Sequence, residues 1–168
     1  MSAEVPEVLD AWRMVAARRH FEGRLPLVAM ARLRDLLADT GGEVRFSLEF
    51  GQDALQVSFA ELRLEAGLTL VCQRSLQRFL QPVELVQRYG LIRDEADEAA
   101  LPLGYEALLV PDDGDLRPAE LVEDELILAV PLVPVMPGSE SVERDWPVSS
   151  DEEARTRPFA VLAALKKN

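Results

Sequence analysis

The chain predicts an α+β domain, and three features of the sequence carry that expectation. Apolar residues recur at helical spacing in two segments before residue 40. From Glu43 the period changes to two. A further amphipathic segment, 117–130, returns to helical spacing. The expected architecture is two N-terminal helices, an antiparallel β-meander or partial barrel, and one packed helix near 117–130. A short C-terminal helix follows after a flexible acidic linker.

Residues 6–19 read as the first helix, with Pro6 in its first turn and Val8, Trp12, Val15 and Arg19 on one stripe. Phe21 to Leu25 is short and extended. Residues 26–39 read as the second helix, opened by Pro26, with Met30, Leu33, Leu36 and Leu37 as its apolar face and Gly41-Gly42 as its stop. Val44, Phe46, Leu48 and Phe50 then alternate with Glu43, Arg45, Ser47 and Glu49, the pattern of a half-buried strand. Gly51 to Asp53 turns the chain. The alternation Leu55, Val57, Phe59 resumes at Leu62 and Leu64 after a slip of one residue, which predicts a bulge at Ala60-Glu61. Gly67 breaks the run, and Leu68, Leu70 and Cys72 start another strand. Phe79 to Leu91 is a strand pair or one long bent strand, with Pro82 at an edge or bend.

The segment RDEADEAA (93–100) is acidic and solvated, and Tyr105 to Val110 is a candidate strand. Pro111-Asp112-Asp113-Gly114 is a turn, because proline fixes φ and glycine permits φ > 0. Asp115 is placed to cap the helix at Arg117–Val130. In that helix Leu121, Val122, Leu126, Ala129 and Val130 point to the core, and Glu120, Glu123 and Asp124 share the opposite face. The expected division is a single α+β domain at 1–135, an acidic linker at 136–157 and a docking segment at 158–168. That last segment, with Phe159, Leu162 and Leu165, is too short to be stable alone as a helix.

Composition narrows the function classes. The 168 residues carry 18 basic and 30 acidic side chains, a net charge of −12. This argues against coating nucleic acid through bulk positive charge. Residues 1–40 are neutral, with six arginines against six acids. Residues 91–168 hold seven basic and eighteen acidic residues, so the acidity belongs to the second half. One cysteine excludes an internal disulfide, and one histidine excludes multi-histidine metal sites. Neither an apolar leader in MSAEVPEVLD nor an 18-residue apolar run is present, so a soluble cytoplasmic protein is expected.

No motif points to an enzyme. There is no phosphate-cradling glycine loop, no G-x-S-x-G and no dinucleotide fingerprint. Cys72-Gln73-Arg74-Ser75 lacks the second cysteine of a zinc knuckle, and His20 is the only histidine that could activate Cys72. No cofactor or metal is expected. Two surfaces invite partners. Arg18, Arg19, Arg74 and Arg78 are candidates for RNA contact through phosphates and stacking, against the alternative of ordinary salt bridging. Glu120, Glu123 and Asp124 form an acidic helix face, for solvent or for a basic partner.

Specific blocks then resemble a known family. They are Leu121–Val135 (LVEDELILAVPLVPV), Pro158–Lys166 (PFAVLAALK), Cys72-x-Arg74, Leu101-Pro102-x-x-Tyr105-Glu106 and Gly114-Asp115-Leu116. Near the start, Arg18-Arg19 precedes Phe21-x-Gly23. The chain is similar from about residue 10 to its C-terminus to the YceD family, the large ribosomal RNA subunit accumulation proteins of bacteria, with relatives in plastids. The resemblance implies a cytoplasmic, non-enzymatic factor in the synthesis, processing or protection of 23S ribosomal RNA. Many relatives carry C-x-R-C and some carry further cysteines in the region of 136–150. Ser75 stands in the second position here, so any metal site of those relatives is absent.

Two modes of action follow. In one, an RNA-binding assembly factor touches ribosomal RNA or a pre-50S particle, directly or indirectly, through Arg18, Arg19, Arg74 and Arg78. In the other, an acidic adaptor or chaperone holds a basic ribosomal protein or assembly factor through Glu120, Glu123, Asp124 and the terminal Phe159, Leu162 and Leu165. No membrane partner is expected in either.

Overall fold

The computed structural model describes residues 5–139. The chain divides into two units, Met1–Met136 and Pro137–Asn168, and the fold belongs to the first. Beyond Ser139, the expected linker and the terminal segment with Phe159, Leu162 and Leu165 lie outside the described residues.

The elements run β1 (Leu9–Asp10), α1 (Ala11–Ala16), β2 (His20–Pro26), β3 (Glu43–Gln52), β4 (Ser58–Val71), β5 (Arg78–Ile92), β6 (Glu106–Leu109), β7 (Asp115–Leu116) and α2 (Pro118–Ala129). The main sheet has the order β2-β3-β4-β5-β6, and β1 and β7 form a separate two-stranded pair. This is an α+β fold in which strands dominate. The meander is antiparallel from β2 to β5, but β6 joins β5 in parallel, from Tyr89↔Glu106 to Ile92↔Leu109. Parallel pairing needs a crossover, and a 3₁₀ turn at Glu95–Ala100 lies within it. The edge strands β2 and β6 are not paired with each other, so the sheet stays open.

Alternation in β3 places Val44, Phe46, Leu48 and Phe50 in the core, all at most 5% exposed. The matching face of β4 supplies Ala60, Leu62, Leu64, Leu68 and Leu70. Helix α2 adds Leu121, Val122 and Leu126 to the same apolar cluster. Fully burying side chains of this size contributes roughly 1.5–3 kcal/mol each.

Several expectations are corrected. The first helix is confined to Ala11–Ala16, because Arg18 adopts φ 47° and closes it, with the Arg19 N–H donating to Met14 C=O at 3.0 Å. The expected helix 26–39 is two 3₁₀ turns, Leu27–Ala29 and Arg34–Leu36. No bulge forms at Ala60-Glu61: the β3–β4 register is unbroken from Arg45↔Glu65 to Gln52↔Ser58. Phe59 belongs to the opposite face from Ala60, and this accounts for the apparent slip. Nor does Gly67 end its strand; β4 runs through it opposite Pro82, and the Leu80 side chain covers the missing Cβ at 3.1 Å. Pro82 is tolerated because β6 pairs only with the last residues of β5, leaving that stretch as an edge. Asp115 lies in β7, and Arg117 precedes α2 without a side-chain cap.

Candidate nucleic-acid interface

The site begins with how α1 is held. Asp10 caps it by accepting the Arg13 N–H at 2.9 Å. The Ala11 N–H donates to Gly114 C=O at 2.8 Å, and Trp12 Nε1 donates to Pro111 C=O at 3.0 Å. Gly114 is required at this contact: it sits at φ 81°, and a Cβ would stand 3.3 Å from the Trp12 ring. Ala11 and Val15 are buried and Trp12 and Met14 pack against the core, so Arg13 and Ala16 are what the short helix presents to solvent.

Three arginines then gather where α1 meets β2. Arg13 lies in the last turn of α1, and Arg18 and Arg19 make the corner into β2; all three are exposed. The Phe50 N–H donates to Arg19 C=O at 2.9 Å, which fixes this corner at the end of β3. Arg13 had escaped notice in the sequence; helical spacing from a capping Asp10 was the signal that would have added it.

Their electrostatic setting sets them apart. Arg24 pairs with Glu43, Arg32 with Glu123 and Asp124, Arg34 with Asp35, and Arg45 with Glu65. Arg63 and Arg88 both meet Glu61, Arg93 meets Asp112, and Arg117 meets Glu7 and Glu120. Among the described residues, Arg13, Arg18, Arg19 and Arg78 make no ion pair. In a chain with 30 acidic side chains, these three cations stand together at one corner without an ion pair among the described residues.

Arg74 and Arg78 sit elsewhere. They belong to the hairpin between β4 and β5, where the Cys72 N–H donates to Gln77 C=O at 2.9 Å and Leu76 takes φ 58°. Arg78 lies opposite Val71. The arginine corner meets the sheet at Phe50, whose partner on β4 is Ala60. Ala60 and Val71 are roughly 36 Å apart along an extended strand. The four sequence candidates therefore form two separate pairs at opposite ends of β4. At the hairpin, buried Cys72 Sγ accepts N–H groups from Ser75 at 3.5 Å and Met136 at 3.3 Å.

The expected acidic face of α2 is largely absent. Glu123 is 8% exposed and does not face solvent. Its Oε1 accepts the backbone N–H groups of Arg32 at 2.7 Å and Leu33 at 3.1 Å. Its Oε2 accepts Arg32 Nε at 3.2 Å and Nη2 at 3.1 Å. The reason is local: residues 27–37 do not form an α-helix, so these amides need an acceptor, and Glu123 supplies it. Burial pushes its carboxyl up, but the Leu33 and Arg32 amides and the Arg32 guanidinium outweigh that and hold it below the usual range. Asp124 is exposed and accepts Arg32 Nη1 at 2.6 Å, and Glu120 is exposed beside Arg117. Glu125 is also buried and accepts the Tyr89 hydroxyl. Burial and that bond raise the Tyr89 hydroxyl well above its ordinary value.

The outer sheet face carries a further cluster that periodicity did not reveal. Arg88 lies 4.4 Å from the Phe59 ring centroid and 4.9 Å from that of Tyr105. The Tyr105 hydroxyl donates to Asp53 Oδ2 at 2.7 Å, and this bond holds Asp53 below its usual range. A concavity of about 850 Å³ crosses the face from β2 to β5, but its arginines Arg24, Arg45 and Arg63 are each matched to a glutamate. Among the described residues, no group of three or more His, Cys, Asp or Glu is arranged to hold a metal ion, and no helix is long and apolar enough to cross a membrane.

Comparison with known proteins places the chain. Residues 60–166 match the family model described as large ribosomal RNA subunit accumulation protein YceD. A protein of Haemophilus influenzae (strain ATCC 51907 / DSM 11121 / KW20 / Rd) with that same name is 29% identical over 176 residues, covering 98% of this chain and 97% of its own. No solved structure matches. The family model takes in β4, β5, the Arg74 hairpin, α2 and the terminal block, and the Haemophilus protein extends the likeness through the arginine corner; the chain belongs to the YceD family.

Proposed function

We propose that the protein is a non-enzymatic ribosome biogenesis factor, acting in the cytoplasm, that supports accumulation of 23S ribosomal RNA of the large subunit. It holds that RNA, free or in a pre-50S particle, through Arg13, Arg18 and Arg19. The observation that carries this reading is that, among the described residues, these three arginines make no ion pair while most others are matched to carboxylates. Guanidinium groups held on a short helix and a strand corner are placed to donate to successive phosphates. The acidic remainder of the chain keeps such binding weak and reversible. Arg74 and Arg78 offer a second contact point for a long RNA. No metal or cofactor takes part.

A second reading draws on a different surface. Glu95, Asp97 and Glu98 stand exposed on the turn after β5, with no ion pair among the described residues, and suit an adaptor for a basic ribosomal protein. Glu123 does not serve that adaptor, since Arg32 and Leu33 occupy it.

Gradient sedimentation of a tagged copy from lysate, with and without mild ribonuclease, tests both. Co-migration with large-subunit precursors, abolished by ribonuclease and by R18E/R19E, is the expected result. A light complex with a basic protein that survives both treatments would replace the RNA reading with the adaptor.

A further inference from the structure

The edge of β2 that faces away from β3 is unpaired among the described residues, and it is complementary to itself. The ladder to β3 shows which groups it presents. The Phe50 N–H donates to Arg19 C=O at one end, and the Leu27 N–H donates to Gly42 C=O at the other. Odd-numbered residues of β2 therefore bond to β3. His20, Glu22, Arg24 and Pro26 turn their backbone groups to the open side. Among the described residues, no hydrogen bond covers that side. Sheet edges left open are usually blunted by proline, lysine, a bulge or a covering loop. In β2 the only proline is the last residue.

We propose that two copies of this chain pair antiparallel through β2, about a two-fold axis at Gly23, joining their sheets edge to edge. This goes beyond the RNA reading and does not depend on it. In this register Glu22 faces the partner's Arg24, and Arg24 faces the partner's Glu22. Each such pair exchanges two backbone hydrogen bonds, and each His20 N–H donates to the partner's Pro26 C=O. Both missing proline donors fall at the ends, where least is lost.

The side chains agree with the backbone. Glu22 and Arg24 are exposed on the same outer face, so the register makes two cross-strand ion pairs. Arg24 is bonded to Glu43 at 3.1 Å through Nη1, and its guanidinium retains further donors. On the inner face Phe21 meets the partner's Leu25, and both are part-buried hydrophobics on the core cluster. At the axis Gly23 meets its own copy in a non-hydrogen-bonded pair, where Cα atoms approach to about 4.5 Å. Glycine is already demanded at this position: a Cβ would stand 2.6 Å from Val5 Cγ2 and 2.9 Å from the Phe46 ring. Shifting the register by two residues either way sets Glu22 against Glu22 or Arg24 against Arg24, and like charges directly opposite oppose pairing. Like charges thus disfavour the two neighbouring registers, and shifts larger than these shorten the shared ladder. The net charge of −12 per chain acts over distances that salt screens beyond about 8–10 Å.

Sedimentation velocity of the full chain over a wide concentration range is the test, combined with hydrogen–deuterium exchange at each end of that range. The expected result is a rise from 18.7 kDa toward twice that mass. It should come with concentration-dependent protection of the His20, Glu22 and Arg24 amides. E22R or R24E alone should weaken pairing about tenfold or more. The double variant E22R/R24E restores both ion pairs with exchanged signs and should recover the dimer. A monomer at every concentration overturns the proposal. So does a dimer whose protection lies outside β2, or one indifferent to the single reversals. The exchange measurement uses the unaltered chain and stands even if a reversal variant fails to fold.

Discussion

Glu123 and Arg32, ninety-one positions apart, are joined by bonds of both kinds: Glu123 Oε1 accepts the Arg32 backbone N–H while Oε2 accepts its guanidinium at 3.1 and 3.2 Å. The carboxylate thus fastens the loop between β2 and β3 to α2. Replacing Glu123 with alanine leaves the Arg32 and Leu33 amides without their acceptor. The expected loss is roughly 2–4 kcal/mol of stability, read as a lowered urea midpoint. E123Q keeps one acceptor oxygen and should lose less. Equal stability of all three proteins would show that the clamp contributes nothing.

The same carboxylate predicts a dependence on pH. Its folded-state pKa lies below the ordinary value of 4.5. The stability it contributes is present above that ordinary value and is lost as pH falls through the lowered one. Asp53, held down by Tyr105, acts with the same sign. Unfolding free energy should therefore decline on acidification below about pH 4.5, and the decline should be shallower in E123Q. Urea titrations of the two proteins between pH 6 and about pH 3 check this.

How much of this was legible in the sequence depends on what each segment touches. Strand β3 was readable because it has one wet face and one dry face, so its composition alternates. The segment 26–39 was misread for a physical reason: Met30 and Leu33 are buried, as helical spacing predicts, but 3₁₀ turns also bring residues three apart together. What decides between them is Glu123, a distant acceptor that no local pattern contains. Helix α2 misled in a related way. Spacing assigns it a polar face, yet only Glu120, Asp124 and Leu128 of Pro118–Ala129 are exposed, and Glu123 and Glu125 are buried with specific partners. The Arg18-Arg19 pair was visible as a motif. That no carboxylate among the described residues pairs with it depends on where the acids fold, which only the tertiary structure shows.

Arg18 sets stability against the proposed RNA contact. It occupies a left-handed conformation at the end of α1, with φ 47°, where glycine is the ordinary residue. A side chain there is unfavourable by about 1 kcal/mol. Arg18→Gly should raise the thermal midpoint by a few degrees while weakening capture of large-subunit ribosomal RNA. The two readouts move in opposite directions, which a merely disruptive substitution does not do. A variant that gains stability and binds RNA unchanged would remove Arg18 from the interface.

Salt dependence separates unpaired arginines from matched ones. Each phosphate neutralised on single-stranded RNA contributes about 0.7 to the slope of log affinity against log salt. Three contacts from Arg13, Arg18 and Arg19 predict that the triple alanine variant flattens the slope by roughly 2. Arg45 and Arg63 are bonded to Glu65 and Glu61 on the outer sheet face. Reaching a phosphate from either would cost its ion pair and leave a bare glutamate beside the RNA, so neither is expected to neutralise a phosphate. R45A/R63A should therefore leave the slope close to that of the unaltered protein. Filter binding of ribosomal RNA across a salt series measures both. A slope that flattens for R45A/R63A instead would move the RNA from the arginine corner to the concave outer face of the sheet.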